Sequence, residues 1–223
     1  GGVVEIETAI PQQRELHIDG SFFSQEFSEL GFSDNSLEGF KGFASYGDKI
    51  GDLSLYLSYN RLENDSQPQS FFDAIPTESS NAQPATGALP GRDEEGKPVL
   101  FFGDSGVIDS QTDNLKLKLG YDWDRWSTLV NLAYEDRQSG ADSPNSYLRN
   151  TRGETVYGGT FEQNGEAFSL PASRLNVSRM NRESLSLGLR LRGQLSEQFA
   201  VEANLNRFDI RTDETRESRV NPD

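Results

Sequence analysis

Few side chains in this sequence are spaced for catalysis. The 223 residues include one histidine, His17, so a nucleophile–base pair has only one candidate base, and no serine lies in a Gly-x-Ser-x-Gly sequence. The absence of cysteine excludes thiol catalysis, disulfides and Cys-based zinc sites. No phosphate-binding Gly-rich loop occurs, and no carboxyl group has the apolar sequence context that a general acid requires. The sequence therefore predicts no enzyme, no catalytic residues and no cofactor.

Acidic side chains form the only concentration of potential metal ligands. The cluster in segment 63–111 consists of Asp93, Glu94, Glu95, Asp104 and Asp109. Carboxylate oxygens suit Ca²⁺, but the spaced Asp-x-Asp-x-Asp-Gly form of a calcium loop is missing, so a solvated acidic loop is favoured and no metal site is predicted. The chain has 36 acidic and 21 basic residues and a formal net charge of −15. This charge argues against nucleic acid as a partner.

Non-covalent ligand recognition is indicated by aromatic residues in two long segments, 63–111 and 138–180, which are rich in Pro, Gly, Ser, Asn and Asp. Aromatic rings give a large contact area with few rotatable bonds. The predicted ligand-contacting residues are Phe71, Phe72, Phe101, Phe102, Tyr147, Arg149, Tyr157 and Phe161. Mutual packing of the loops by these rings is an equally good interpretation of the sequence.

The elements that would position these loops are β-strands. In 115–123 every odd-numbered residue is Leu, Tyr or Trp, and every even-numbered residue is Lys, Gly or Asp. A two-residue period sorts side chains onto the two faces of a strand. The same period recurs in 53–60, 126–134 and 185–192, and more weakly in 14–26, 37–47 and 198–211. About seven strands are predicted. The apolar phase slips near Asn206, which a bulge would explain, as would emergence of the strand from an apolar layer.

The polar face of these strands carries cations. The predicted residues of this face are Lys116, Lys118, Arg190 and Arg192, and His17 falls on the polar side of the first strand. In a barrel they would face the lumen. They could guide an anionic ligand or pair with carboxylates of the protein, and pairing is favoured.

Short and long connections alternate along the chain. The short ones are expected at 47–52, 124–125 and 196–198, and the long ones near 63–111 and 138–180, with a shorter loop near 27–36. Tight hairpins at one end and long loops at the other are typical of bacterial outer-membrane barrels.

The continuous Leu and aromatic face must be covered by a second sheet or by lipid. Three features favour lipid: the opposite face is polar, aromatic residues cluster near the short turns, and strands of about ten residues match a tilted membrane crossing. The mean hydropathy of −0.67 does not oppose this, because alternating barrel strands never score as hydrophobic overall. No run of 18 apolar residues occurs, so no membrane-spanning helix is expected. The fold class predicted is all-β, an antiparallel transmembrane β-barrel segment.

Two stretches resemble a known family. The sequence begins Gly-Gly-Val-Val-Glu-Ile-Glu-Thr, which is similar to the Gly-Gly-Val-(Val/Ile)-x-Ile-x-Thr signature of TonB-dependent outer-membrane receptors. The stretch 44–71 contains Asn-Arg-Leu-x-x-x-x-Gln-Pro-x-Ser-Phe and resembles the strand–turn–strand unit that opens many such barrels. The two motifs lie within about the first 70 residues, and the remainder matches by strand rhythm alone.

This resemblance implies a fragment of a larger protein. Residues 1–10 would be the last strand of the plug domain, and 11–223 the first third of a 22-stranded barrel with its extracellular loops. The implied activity is energy-coupled import of a ferric siderophore or another scarce nutrient across the Gram-negative outer membrane. The implied partners are outer-membrane lipid, the ligand, and a periplasmic TonB-type energising protein bound through a segment upstream of this sequence. The resemblance does not identify the ligand.

Two alternatives stay open. One is a soluble or surface-attached β-sandwich module for binding or adhesion, in which the Leu face would meet a second sheet. The other is a passive porin, which an upstream plug domain would exclude. The exposure of the Leu face in the folded protein discriminates between barrel and sandwich.

Overall fold

A computed structural model describes residues 10–79, 81–141, 143–171 and 173–220. The strands are β1 Glu15–Glu29, β2 Phe32–Ile50, β3 Leu53–Ser66, β4 Phe71–Asp73, β5 Ile75–Pro76, β6 Gln83–Thr86, β7 Leu89–Arg92, β8 Pro98–Asp104, β9 Ile108–Trp123, β10 Trp126–Ala141, β11 Asn145–Ser146, β12 Arg149–Asn150, β13 Gly159–Gln163, β14 Glu166–Leu170, β15 Asn176–Gln194 and β16 Ala200–Arg219. The predicted all-β class with antiparallel sheets is confirmed. No helix within the described residues is suited to crossing a membrane.

Seven long strands form one antiparallel sheet in the order β1-β2-β3-β9-β10-β15-β16. At one end, tight turns follow Ile50, Trp123 and Gln194. At the other end, long connections join β3 to β9 and β10 to β15. Within the described residues the sheet is open, with β1 and β16 as its edges.

One face of this sheet is apolar and uncovered. Phe22 is 84% exposed, Leu115 45% and Leu189 39%. The register places the apolar residues of neighbouring strands opposite one another, as in Leu57 against Leu117. No second sheet packs on this face among the described residues, so the long strands do not form the layered core of a β-sandwich.

The first connection differs from the prediction of a loop at 27–36. β1 and β2 stay paired up to the two-residue turn Leu30–Gly31, where Leu30 has a φ of 50°. The rings of Phe27 and Phe32 are in contact, with centroids 6.0 Å apart, and Leu37 is buried. These apolar contacts extend the hairpin through a stretch whose Ser, Asp and Asn content resembles a loop.

The bulge in the last strand lies five residues beyond the predicted position. Arg211 is skipped between two successive pairs of β16 with β15, whereas Asn206 still pairs in register with Gly188. Phe208 and Ile210 therefore stay in phase with Asn206 and lie on the polar face. The apolar residues change parity in the sequence because these two apolar side chains lie on the polar face, before the chain reaches the bulge.

Residues 10–12 lie against the polar face at the short-turn end. The Cδ1 atom of Ile10 is 3.3 Å from the position of a Cβ on Gly120, and Pro11 occupies the space above Gly47. The side-chain oxygen of Gln12 accepts a hydrogen bond from Lys49 at 3.1 Å. Apart from Ile10, the predicted plug strand 1–10 lies outside the described residues.

Candidate functional site

The two long connections fold together into one unit, here called the cap, which comprises the described residues of 67–107 and 143–175. Strands of the third connection, 143–175, pair with strands of the second, 67–107: β11 with β8, β12 and β13 with β6, and β14 with β5. The connections are therefore interleaved, and neither has a complete set of hydrogen-bonded neighbours without the other.

A hydrophobic core of its own stabilises the cap. Its buried members are Ala74, Ala85, Ala88, Phe102, Leu148, Phe161, Phe168, Leu170 and Leu175. Both connections contribute to it, and the rings of Phe161 and Phe168 stack with centroids 5.5 Å apart. Phe72, Leu100, Val156 and Tyr157 pack around this core. Burial of this apolar area is the main force that holds the two connections together.

A buried carboxylate also ties the two connections together. Asp104, at the end of β8, is fully buried. One of its oxygens accepts hydrogen bonds from the Gly106 backbone N–H at 2.7 Å and the Asn145 amide at 3.0 Å, and the other accepts one from the Tyr147 hydroxyl at 2.6 Å. Burial, together with this carboxylate, raises the pKa of Tyr147 well above its ordinary value. The hydroxyl therefore stays protonated and able to donate.

A cleft of about 610 Å³ lies beside Tyr147, within the size range of small-molecule sites. All three connections at this end line it: Gly31 to Asp34 from the first turn, Gly87, Leu89 and Val107 from the second connection, and Ser143, Asn145, Ser146, Tyr147 and Arg149 from the third. The Tyr147 ring approaches Gly31 so closely that a Cβ there would lie 2.7 Å from its Cε1 atom. We call this space the Tyr147 cleft.

The structure does not bring the eight predicted ligand-contacting residues into one site. Tyr147 and Arg149 line the Tyr147 cleft, and the Arg149 guanidinium donates hydrogen bonds to the Ser146 and Leu148 carbonyls at 2.8 and 2.9 Å. The other six residues divide by burial: Phe102 and Phe161 lie in the cap core, Phe72 and Tyr157 pack against it, and Phe71 and Phe101 are half-exposed. For Phe102 and Phe161 the structure shows the packing role that the sequence left open.

Several cleft residues were not singled out from the sequence. Asp34, Asn145 and Ser146 line the cleft. Asp104, which the sequence indicated only as an acidic residue, accepts hydrogen bonds from Asn145 and Tyr147 of the cleft. Nothing in the sequence distinguishes them from the many other polar residues of these segments. Pairing between connections about 40 residues apart brings them together.

The four predicted polar-face cations have different surroundings. Lys118 is 7% exposed, and its ammonium lies 5.4 Å from the ring centroid of Tyr56. Lys116 lies two residues away on the same strand and face. Arg192 forms an ion pair with Glu202 at 2.8 Å, and Arg190 also interacts electrostatically with Glu202.

The acidic residues of 63–111 are dispersed over the cap. Asp93 accepts a hydrogen bond from the Lys97 backbone N–H at 2.7 Å in an exposed turn, whereas Asp104 is buried beside Tyr147. No group of three or more His, Asp or Glu side chains that could hold a metal ion occurs in the described ranges.

Comparison with protein-family models, with curated proteins and with solved structures found no match. The likeness to TonB-dependent receptors therefore depends on the sequence motifs.

Proposed function

We propose that this chain forms part of the wall and of the external cap of an energy-coupled outer-membrane importer of the TonB-dependent type, which takes up a ferric siderophore or another scarce nutrient. One observation carries this proposal. A sheet with an uncovered apolar face bears, at the end of its long connections, a folded cap with a cleft large enough for a small ligand.

The dimensions of the apolar face suit a bilayer. The outward apolar stretch extends over about nine residues on β9 and β10 and about seven on β15, close to the length of a tilted transmembrane strand. Tyr121 and Trp123, with ring centroids 5.7 Å apart, lie at the short-turn end of this stretch. At its other end the Tyr59 hydroxyl and Arg61 both bind Asp113. Aromatic and charged residues at the two edges of an apolar band are typical of membrane interfaces.

The cap distinguishes this chain from a plain membrane wall. The two long connections share one core and enclose the Tyr147 cleft with the first turn. Such a pre-formed unit can capture a ligand outside the cell, while the strands serve as a scaffold. Residues 10–12 on the polar face fit a preceding plug inside the barrel, with the TonB-type partner acting on a segment further upstream.

The test is uptake by the full-length protein, with all sequence that its gene encodes, in a Gram-negative host lacking its own ferric-siderophore receptors. We expect the protein in the outer-membrane fraction and ⁵⁵Fe uptake from at least one of a hydroxamate, a catecholate or a carboxylate chelate. Uptake should stop when the host lacks its TonB-type energising protein. Ser33→Trp, which fills the cleft from the exposed first turn, should reduce uptake, whereas Glu94→Trp in an exposed cap turn should not.

Other outcomes would overturn the proposal. Uptake that persists without the energising protein indicates a passive porin. A protein found outside the membrane fraction, with its apolar face bound to a partner, indicates a binding or adhesion module.

A further inference from the structure

Lys116 and Lys118 lie on the polar face of β9 in the middle of the sheet, where a cavity of about 620 Å³ lies over them. The cavity is lined by both lysines and by Ser58, Asn60, Asn114 and Asn131, from three neighbouring strands. We call this space the lysine cradle. Apart from the two ammonium groups, its polar lining consists of hydroxyl and amide groups.

The two ammonium groups lack a carboxylate partner among the described residues. Lys118 is more than nine-tenths buried, and its ammonium lies 5.4 Å from the ring centroid of Tyr56. Glu135 is on the same face, opposite Asn114, and no ion pair joins it to either lysine in the described part of the chain. Other cations of this face differ, because Arg192 pairs with Glu202 and Arg182 with Asp213.

A buried, uncompensated charge is costly, and two like charges on one strand add to the cost. This cost is offset when an anion binds between them. The Asn131 amide has a buried oxygen without a hydrogen-bond partner in the described part of the chain. Asn131 lines the cradle, and the NH₂ group of its amide is a donor for an anionic oxygen.

We propose that the lysine cradle is an oxyanion site that binds a carboxylate group between Lys116 and Lys118. The carboxylate belongs either to a soluble anionic ligand or to an acidic side chain of the same protein. The site follows from the sheet alone, and only a role in transport, as a binding step inside the wall, rests on the proposed function.

The experiment uses the purified full-length protein in detergent, with citrate as the soluble carboxylate probe. If a soluble anion is the occupant, citrate should bind the wild type. Lys118→Gln should weaken this binding about tenfold or more, Lys116→Gln should weaken it less, and Lys118→Arg should retain it. Lys41→Gln is the matched control, because Lys41 lies on the polar face of β2 outside the cradle.

A second arm identifies the other source. A zero-length carbodiimide reagent joins a lysine to a carboxylate in contact with it, and peptide mass spectrometry locates the link. A cross-link from Lys116 or Lys118 to a carboxylate of the chain, together with absent citrate binding, assigns the occupant to the protein. Both results support the oxyanion site.

Absence of both the cross-link and citrate binding overturns the proposal, as does citrate binding that Lys118→Gln leaves unchanged. Retained binding in Lys118→Arg separates loss of the site from misfolding. Neither measurement depends on uptake, so a failed uptake assay would count against the proposed function and not against this site.

Discussion

The hydroxyl of Tyr147 donates a 2.6 Å hydrogen bond to the carboxylate of Asp104, which lies 43 positions earlier in the chain. This bond joins the two long connections between a fully buried carboxylate and a half-buried tyrosine. Because the Tyr147 ring also packs on Gly31, the three connections of this end meet at one side chain. Loss of the hydroxyl should therefore lower the stability of the whole cap.

Tyr147→Phe should loosen the cap. The substitution leaves a buried carboxylate with one donor fewer, which costs about 1–3 kcal/mol. Because the chain has no cysteine, Ala88→Cys provides a single buried reporter in the cap core, and its maleimide labelling rate measures cap opening. We expect faster labelling in Tyr147→Phe. Tyr157→Phe is the control, because Tyr157 is also a half-buried tyrosine of the cap, and its labelling rate should not change. Equal rates in all three backgrounds would show that the bond does not stabilise the cap.

Cap stability should fall at alkaline pH. The pKa of Tyr147 is raised in the folded protein above the ordinary value of about 10. Its contribution is therefore fully present below about pH 10 and is lost as the pH rises toward the folded-state pKa. The measurement is the labelling rate of Ala88→Cys divided by that of the exposed control Glu94→Cys, a ratio that cancels thiol ionisation. The ratio should rise with pH, and Tyr147→Phe should flatten the rise; an unchanged slope would contradict this role.

The two faces of β15 should respond differently to charge. Leu187→Arg places a cation on the apolar face, which in a bilayer costs about 2–4 kcal/mol near the midplane. The adjacent Ser186→Arg places the same side chain on the polar face and should be tolerated. Heat-modifiable migration of the full-length protein extracted from outer membranes reports the folded fraction. Similar yields for both variants would indicate that the apolar face does not contact lipid.

Substitution of a core aromatic residue should destabilise the cap more than substitution of a surface aromatic residue. Phe161→Ala removes a buried ring stacked on Phe168 and should destabilise the cap by about 3–5 kcal/mol. Phe71→Ala removes a half-exposed ring and should cost much less. Limited proteolysis of the folded full-length protein, with cleavage sites mapped to the cap, measures the difference. Equal protease sensitivity would show that the core described by burial is not the stabilising unit.

The strands of the wall could be predicted because their period is local. Alternation in 115–123 and 126–134 determines which side chains share a face, and the turn at Asp124-Arg125 is where the sequence indicates it. The first turn was missed because the contact of Phe27 with Phe32 depends on pairing, which composition does not reveal. The bulge was predicted at the wrong position because the sequence period reports only that Phe208 and Ile210 are apolar. It does not report which face of the sheet they lie on.

The cap could not be predicted in this way. Its strands are two to seven residues long, too short for a reliable period, and the pairings that join its two connections link residues about 40 or more positions apart. Ligand-contacting residues were selected by ring type, and ring type also suits a core, as Phe102 and Phe161 show. The polar-face cations were identified by parity, but parity does not reveal that Arg192 has an acidic partner in Glu202.

The interleaving of the two connections has a consequence for the order of folding. β6 takes its neighbours from β12 and β13, and Leu175 completes a core that begins at Ala74. β6 therefore remains without its neighbours until about 60 to 80 further residues have been synthesised and brought back to it. Because such distant contacts form slowly, the apolar residues of the earlier connection need protection from aggregation until its partners have been synthesised. The cap can fold completely only after the strands on both sides of it have paired.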